Sequence, residues 1–371
     1  MYKIIINATA IRSSGALTIL KDFISYVFSL NAKDILFLFL TSTNNVFHDC
    51  NNVIVHEVPV QNWFSRIIWD RKGLQKWCED NNIIPDVSIS FQNTCTHFTG
   101  KYKNVKQLVY YHNILPLVSN NWNILKKEER KLYLYAHFYR FFVNRWNKSA
   151  VYVVQLSYVK QLLCNKFTNI TSSQVQVIRP NLPNINPSNI EAKETNDYKK
   201  LFIYPATPFE YKNHRIILDA LELLKNEEPN LAEKIRIIFT VPEDCQVSQV
   251  IKERELDDII NCIGSNPYDV LLTYYKRCDA LLFPSKIESF GLPLVEASLF
   301  GVPVIAADLP YAREVLANYE GASFVDVDNA EMWMKQIKQL LQSNKKYKPL
   351  TQNVQNTWEE LMDVMNSFLH K

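Results

Sequence analysis

Glycine is scarce in this chain: seven residues of 371, where a share of roughly 7% is usual. Glycine lets backbone amides close around a phosphate, so any nucleotide site here is built from very few of them. A collagen-like or low-complexity chain is excluded by the same count. Long apolar runs are also missing. The longest, such as residues 35–40, fall far short of the ~20 residues a spanning helix needs. The opening MYKIIINATAIR is too short in its apolar run for a signal peptide. Paired cysteines are absent too. Cys50, Cys78, Cys95, Cys164, Cys245, Cys262 and Cys278 are odd in number and never spaced C-x2-C. That pattern argues against a zinc site and a disulfide framework, and fits reduced thiols in a cytoplasmic protein. Charged residues make up 21% without long blocks, which excludes disorder.

The hydrophobic share is 47%, enough for two domains, each with its own core. Charge divides unevenly between them. Residues 1–180 hold 21 basic and 10 acidic residues, a balance of +11, against −8 for the remainder. Such a basic half can attract an anionic membrane surface, a phosphorylated substrate or nucleic acid. Short β-branched runs alternate with longer amphipathic stretches. Strands are predicted at 3–7, 35–40, 53–58, 86–90, 108–111 and 151–154. Helices are predicted at 15–30, 121–148 and 157–166, the last capped by Ser157. Residues 179–196 contain Pro180, Pro183 and Pro187 among Asn and Ser, a linker composition. The alternation then restarts, with strands at 201–204, 235–240, 259–263, 280–283 and 302–306. Helices are expected at 213–226, 268–277 and 292–300. The fold class is α/β: two Rossmann-like, doubly wound parallel-sheet domains, 1–182 and 183–354. Trp358, Leu361, Met365 and Phe368 share one helical face, and the helix of 355–371 is expected to pack back on the first domain. Finishing the second domain is its other option.

The sharpest segment is FPSKIESFGLPLVEASLFGVPVIA, residues 283–306. A strand ends at Phe283, a turn carries Glu288, Gly291 opens a helix and Pro293 sits in its first turn, where a missing N–H costs nothing. That helix start is an anion site in waiting. Seven residues separate Glu288 from Glu296. Carboxylates beside an anion site suit a ligand that is both phosphate and sugar, because amides take the diphosphate and glutamates accept from hydroxyls. A plain strand–helix turn with solvated glutamates is the alternative reading.

This segment resembles the E-x7-E signature of the retaining nucleotide-sugar glycosyltransferases in the glycogen-synthase-like, GT-B superfamily, the group 1 or family 4 type. The flanking PS, SFGLP and GVPVIA match as well. The resemblance implies two domains facing across a cleft, with donor bound by the second. It implies that Glu296 binds ribose hydroxyls and Glu288 the donor sugar. The backbone of Ser289, Phe290, Gly291 and Leu292 would hold diphosphate and sugar. In YPATPFEYKNHRIILDAL, residues 204–221, Lys212 matches the family lysine that neutralises the departing diphosphate. The usual arginine is missing, with Ala206 or Thr207 in its place and Arg215 as a substitute on the helix. In LVYYHNILPL, residues 108–117, His112 matches a histidine that faces the donor sugar, at a strand end where α/β proteins bind ligands. The first loop, IRSSGALT, keeps only Gly15 where relatives have two or three glycines, leaving Arg12, Ser13 and Ser14 to supply donors.

Two other features read more plainly. Asp326-Val-Asp328 mimics a metal-binding D-x-D but is better explained as an acidic, helix-capping turn, so neither a metal nor any other cofactor is expected. The basic, aromatic stretch 121–148, with Lys126, Lys127, Arg130, Lys131, Arg140, Arg145 and Lys148, is expected to pack as a helix with a solvated face rather than to bind nucleic acid. The implied enzyme is a retaining, metal-independent glycosyltransferase. Its donor is a GDP- or UDP-sugar and its acceptor a saccharide, free or lipid-linked, in O-antigen or related lipopolysaccharide synthesis. Its expected place is the cytoplasm, peripheral on the inner membrane through the basic half. Two alternatives remain at this stage: a nucleotide-sugar epimerase or hydrolase on the same scaffold, and a non-catalytic nucleotide-sugar-binding subunit.

Overall fold

The computed structural model describes residues 1–11, 14–30, 32–42, 52–58, 62–118, 122–143, 148–181, 185–191, 199–351 and 356–369. Arg12, Ser13, Arg145 and Pro183 lie outside the described residues, as do the side chains of Ser14, Lys127, Lys131 and Arg140. The chain divides into two units, Met1–Asn181 with Gln355–Lys371, and Leu182–Val354.

In chain order the first unit contains β1 (Tyr2–Ala8), α1 (Ser14–Ser29), β2 (Ile35–Thr41), β3 (Val53–Glu57), α2 (Trp63–Ile68), α3 (Leu74–Asp80), β4 (Val87–Ser90), β5 (Lys106–Tyr110), α4 (Lys127–Phe138), β6 (Val151–Val154), α5 (Ser157–Lys166) and β7 (Val175–Val177). The strands form one parallel sheet in the order β3-β2-β1-β4-β5-β6-β7. Side chains alternate faces along a strand, and in β1 both faces are covered. Ile4 and Ile6 pack with Leu20, Phe23, Ile24 and Val27 of α1, while Ile5 packs with Leu38, Leu40 and Leu74. Burial on both sides is why the strand reads as an unbroken apolar run. The spacing 20, 23, 24, 27 is one helical face.

The structure corrects three sequence readings here. Among the described residues the helix expected over 121–148 is confined to α4, followed by a tighter 3-10 turn at Tyr139–Phe142, consistent with the weak helix preference of aromatic residues. Ser157 does not cap α5 but is its first residue. Leu156 is the extended cap, and its carbonyl accepts from Lys160 N at 3.2 Å. Residues 62–80, unassigned from the sequence, are helical, and Asn62 with Ser65 forms a reciprocal cap on α2. Between α2 and α3 the chain widens into a π turn, Trp69–Gly73.

The second unit contains β8 (Lys200–Tyr204), α6 (His214–Glu227), α7 (Pro229–Ala232), β9 (Ile235–Phe239), α8 (Gln246–Glu253), β10 (Ile260–Cys262), α9 (Tyr268–Arg277), β11 (Ala280–Phe283), α10 (Leu292–Leu299), β12 (Val304–Ala307), α11 (Pro310–Val315), β13 (Ala322–Val325) and α12 (Ala330–Leu341). Its sheet is also parallel, in the order β10-β9-β8-β11-β12-β13. The acidic turn before α12 does not cap that helix with its aspartates. Asn329 does so, accepting from Met332 N at 3.0 Å, while Asp326 accepts from Asp328 N. Gly301 follows α10 in the left-handed region, φ +71°, where the Tyr347 carbonyl leaves no room for a Cβ.

The last element, α13 (Thr357–Leu369), belongs to the first unit. Trp358, Leu361 and Met365 are fully buried there, and Phe368 packs against the same core. The Trp358 ring sits 4.9 Å from that of Phe23 and 5.9 Å from that of Tyr110, and its Nε1 donates to Asp22 at 2.5 Å.

Candidate active site

Both sheets reverse their strand order once, at β1/β4 and at β8/β11. In open α/β sheets ligands bind outside the carboxyl ends of strands at such a switch point. The predicted donor residues of the second unit lie at the β8/β11 switch.

Beyond β8 the chain makes a 3-10 turn, Glu210–Lys212, and enters α6 through Asn213 in the left-handed region, φ 57°. The Tyr204 hydroxyl donates to the Lys212 carbonyl at 2.5 Å, folding the turn back over its own strand. Beyond β11, Lys286 N donates to the Tyr211 carbonyl at 2.8 Å, and the Tyr311 hydroxyl holds the Ser285 carbonyl at 2.6 Å. The Lys286–Tyr211 bond ties the two loops together. Lys212 Nζ is thereby brought 2.6 Å from Glu288 Oε1, with the side chains only 16% and 14% exposed. The ammonium also lies 5.3 Å from the centre of the Tyr211 ring. A pair this sheltered attracts more strongly than one in water, though desolvation opposes the gain.

Ser289 and the buried Phe290 lead to Gly291, which takes φ 89° and ψ 58°. A Cβ there would approach Leu294 Cδ1 to 3.1 Å, in a backbone conformation that side chains resist. Leu292 and Pro293 open α10 without a side-chain cap, Leu294 N donates to the Gly291 carbonyl at 3.0 Å, and the helix start presents its positive dipole end. One turn further, Glu296 is buried. Its Oε1 accepts from the Tyr268 hydroxyl at 3.1 Å and its Oε2 from the Tyr275 hydroxyl at 2.9 Å. Burial pushes the Glu296 carboxyl up, and the two hydrogen bonds oppose that shift.

His112 and Gly15 belong to the first unit. Gly15 is exposed in the first turn of α1, beyond β1. His112 follows β5, and its backbone N and that of Asn113 both donate to Asn93 Oδ1, at 2.6 and 3.1 Å. Asn93 itself is left-handed, φ 64°. Loss of solvation, reinforced by the Arg66 charge, lowers the His112 imidazole to about 4, so the ring is neutral at physiological pH.

Sequence reasoning missed a buried polar cluster at the β1/β4 switch. Asp70 accepts from Asn7 Nδ2 at 3.2 Å and from Thr94 Oγ1 at 2.6 Å, and the Trp69 indole donates to Asn7 Oδ1 at 3.1 Å. Burial raises Asp70 to about 6, against the opposing pull of Arg66. Asn7, Gln92, Asn93 and Thr94 were visible as polar residues ending apolar strands. Asp70 was not, because a π turn delivers it. Tyr268 and Tyr275 were also missed. Arg215, the substitute suggested for the missing arginine, is 81% exposed and pairs with Asp219 at 3.9 Å. Asp328 pairs with Lys286 at 2.6 Å. Among the described residues no group of three or more His, Cys, Asp or Glu side chains is arranged to hold a metal ion.

Residues 186–357 match the family model described as glycosyl transferases group 1. The chain is 28% identical over 250 residues to the O-antigen chain mannosyltransferase RfbU of Salmonella typhimurium, covering 65% of this chain and 67% of that one. In structure it resembles WaaG, a glycosyltransferase involved in lipopolysaccharide biosynthesis, with a TM-score of 0.71 at 14% identity, over 98% of this chain and 99% of that one. It also resembles Anabaena HepE, solved in complex with UDP and glucose, with a TM-score of 0.66 at 14% identity, over 99% and 100% of the two chains. Residues 186–357 thus carry the match to glycosyl transferases group 1, and the chain as a whole has the two-unit GT-B glycosyltransferase fold.

Proposed function

We propose that this glycosyltransferase retains anomeric configuration, moving one sugar from a GDP- or UDP-linked donor to a saccharide acceptor, free or lipid-linked. The pathway is assembly of a surface polysaccharide of the O-antigen kind. The observation that carries this reading is the sheltered Lys212–Glu288 pair beside the uncapped start of α10. The RfbU match supports the pathway, and a UDP-linked donor is consistent with the UDP bound by HepE.

In the proposed reaction the bond from the sugar C1 to the diphosphate oxygen breaks. A bond from C1 to the acceptor oxygen forms on the same face. The acceptor proton passes to the departing diphosphate oxygen, so no protein base is required. Lys212 offsets the charge that develops on that diphosphate, and Glu288 keeps the ammonium in place before donor arrives. Preorganised charge of this kind acts without reorganisation during the reaction. Glu288 accepts from a donor-sugar hydroxyl, and the backbone N–H groups of Phe290, Gly291 and Leu292 hold the diphosphate. Glu296 takes the ribose hydroxyls. His112 contributes a neutral hydrogen-bonding group to the donor sugar. No metal or other cofactor is invoked, since Lys212 and the helix amides meet the diphosphate charge.

A thermal-shift screen with GDP-, UDP- and dTDP-sugars identifies the donor, because a ligand that binds only the native state raises its apparent stability. NMR of the product then tests the mechanism. A product whose anomeric centre is inverted relative to the donor refutes retention.

A further inference from the structure

Glu296 is an expensive residue to bury. Among the described residues no cation lies within ion-pair distance of it, and its only donors are the hydroxyls of Tyr268 and Tyr275. A carboxylate removed from water without a cation is unfavourable unless hydrogen bonds replace its hydration. An apolar side chain at this position would stabilise the free protein better. The carboxylate is therefore placed for a ligand that brings further donors.

The geometry of the two tyrosines constrains the carboxylate that such a ligand would meet. They are seven residues apart on α9, two helical turns, and so share one face. Each binds a different oxygen of the carboxylate. Two carboxylate oxygens have about four acceptor positions in all, so one position on each oxygen remains. Both rings are anchored. Tyr275 is fully buried, and Tyr268, 37% exposed, opens α9 behind a connection that Asn266 braces by donating to the carbonyls of Ile263 and Gly264, both at 3.1 Å.

We infer that Tyr268 and Tyr275 are positioning residues that fix the plane of the Glu296 carboxylate, so that its two open acceptor sites meet the two adjacent hydroxyls of a ribose. They thereby make the site selective for ribonucleotides over 2′-deoxyribonucleotides. A carboxylate free to rotate would accept one hydroxyl almost as well as two. A clamped one gains its second bond only from a vicinal diol. This inference rests on the assignment of Glu296 to the nucleotide ribose.

The test is calorimetric titration of the full chain with GDP, 2′-deoxy-GDP, UDP and 2′-deoxy-UDP. The wild type is expected to bind the ribonucleotide of its preferred base about ten-fold more tightly than the deoxy form, in line with one charge-assisted hydrogen bond. Tyr268→Phe and Tyr275→Phe should each weaken the ribonucleotide while leaving the deoxynucleotide nearly unchanged, so that selectivity collapses towards unity. Donor KM should rise with kcat retained. Because Tyr275 is buried and its variant can misfold, Tyr268→Phe, at the more exposed position, carries the same expectation by itself. Variants that keep the wild-type selectivity overturn the inference, as does a wild type that binds ribo- and deoxynucleotides equally. In both cases the glycosyltransferase reading survives. A wild type that binds neither GDP nor UDP removes the proposed donor class and this inference with it.

Discussion

At the scale of single residues, the Lys212–Glu288 pair makes two demands that separate chemistry from stability. Lys212→Ala removes the charge that meets the diphosphate, and Glu288→Gln keeps the shape of the side chain while removing its charge. Turnover should fall by about 100-fold or more in each, with only a small change in unfolding midpoint for Glu288→Gln. Initial-rate assays beside thermal melts check this, and near-wild-type rates in both variants would place the chemistry elsewhere. A second residue-scale prediction concerns His214, buried at the start of α6 between the Tyr204 and Phe239 rings. Neither of its ring nitrogens has a hydrogen-bond partner among the described residues. Burial, aided by the Lys212 charge, lowers its imidazole to about 3. Below the ordinary value near 6.5 the unfolded chain takes up a proton that the folded chain refuses. The stability present above pH 6.5 is therefore lost as pH falls towards 3, by up to about 1.4 kcal/mol per pH unit. His214→Phe should flatten that dependence in urea titrations from pH 7 to 4. An unchanged slope would mean the histidine is not the group being protonated.

At the scale of elements, Gly301 shows what one residue does for packing. The chain returns beside the end of α10, where Tyr347 N donates to Gly301 O at 3.3 Å and Leu350 N to Ser298 O at 2.9 Å. Gly301→Ala meets both a left-handed backbone and the Tyr347 carbonyl, so a loss of about 2 kcal/mol or more is expected. Chemical denaturation measures it, and a neutral substitution would show that this return is soft. Elements also explain what could be read in advance. Strands of both sheets were legible because parallel sheets bury both faces and so spell continuous apolar runs. The E-x7-E segment was legible because strand, turn and helix lie in one stretch, from Phe283 to Glu296. The partners of Glu296 were not, since Tyr268 and Tyr275 reach it from another helix. Residues 62–80 were illegible for a different reason. Their helix is short, interrupted by a π turn, and leaves Phe64 and Ile68 exposed, so no clean amphipathic period exists to detect.

At the scale of the whole molecule, charge and exposure pull the same way. The basic balance lies in residues 1–180. Phe64 and Ile68, one turn apart on α2 and respectively 72% and 63% exposed, are followed by exposed Arg71 and Lys72. No helix among the described residues is long and apolar enough to cross a membrane. We propose surface docking on anionic lipid instead. Co-sedimentation with phosphatidylglycerol vesicles should fall steeply between low and moderate salt, as screening shortens the reach of each charge, and binding indifferent to lipid charge would remove the idea. The position of α13 has a temporal meaning as well. Most of the first unit precedes the second in the chain, yet the helix carrying Trp358 follows it. During synthesis the rings of Phe23 and Tyr110, which Trp358 covers in the finished unit, lack that cover until the second unit has been made. The first unit is thus completed only by residues that follow the second, and a chain cut short before Trp358 should leave these rings uncovered.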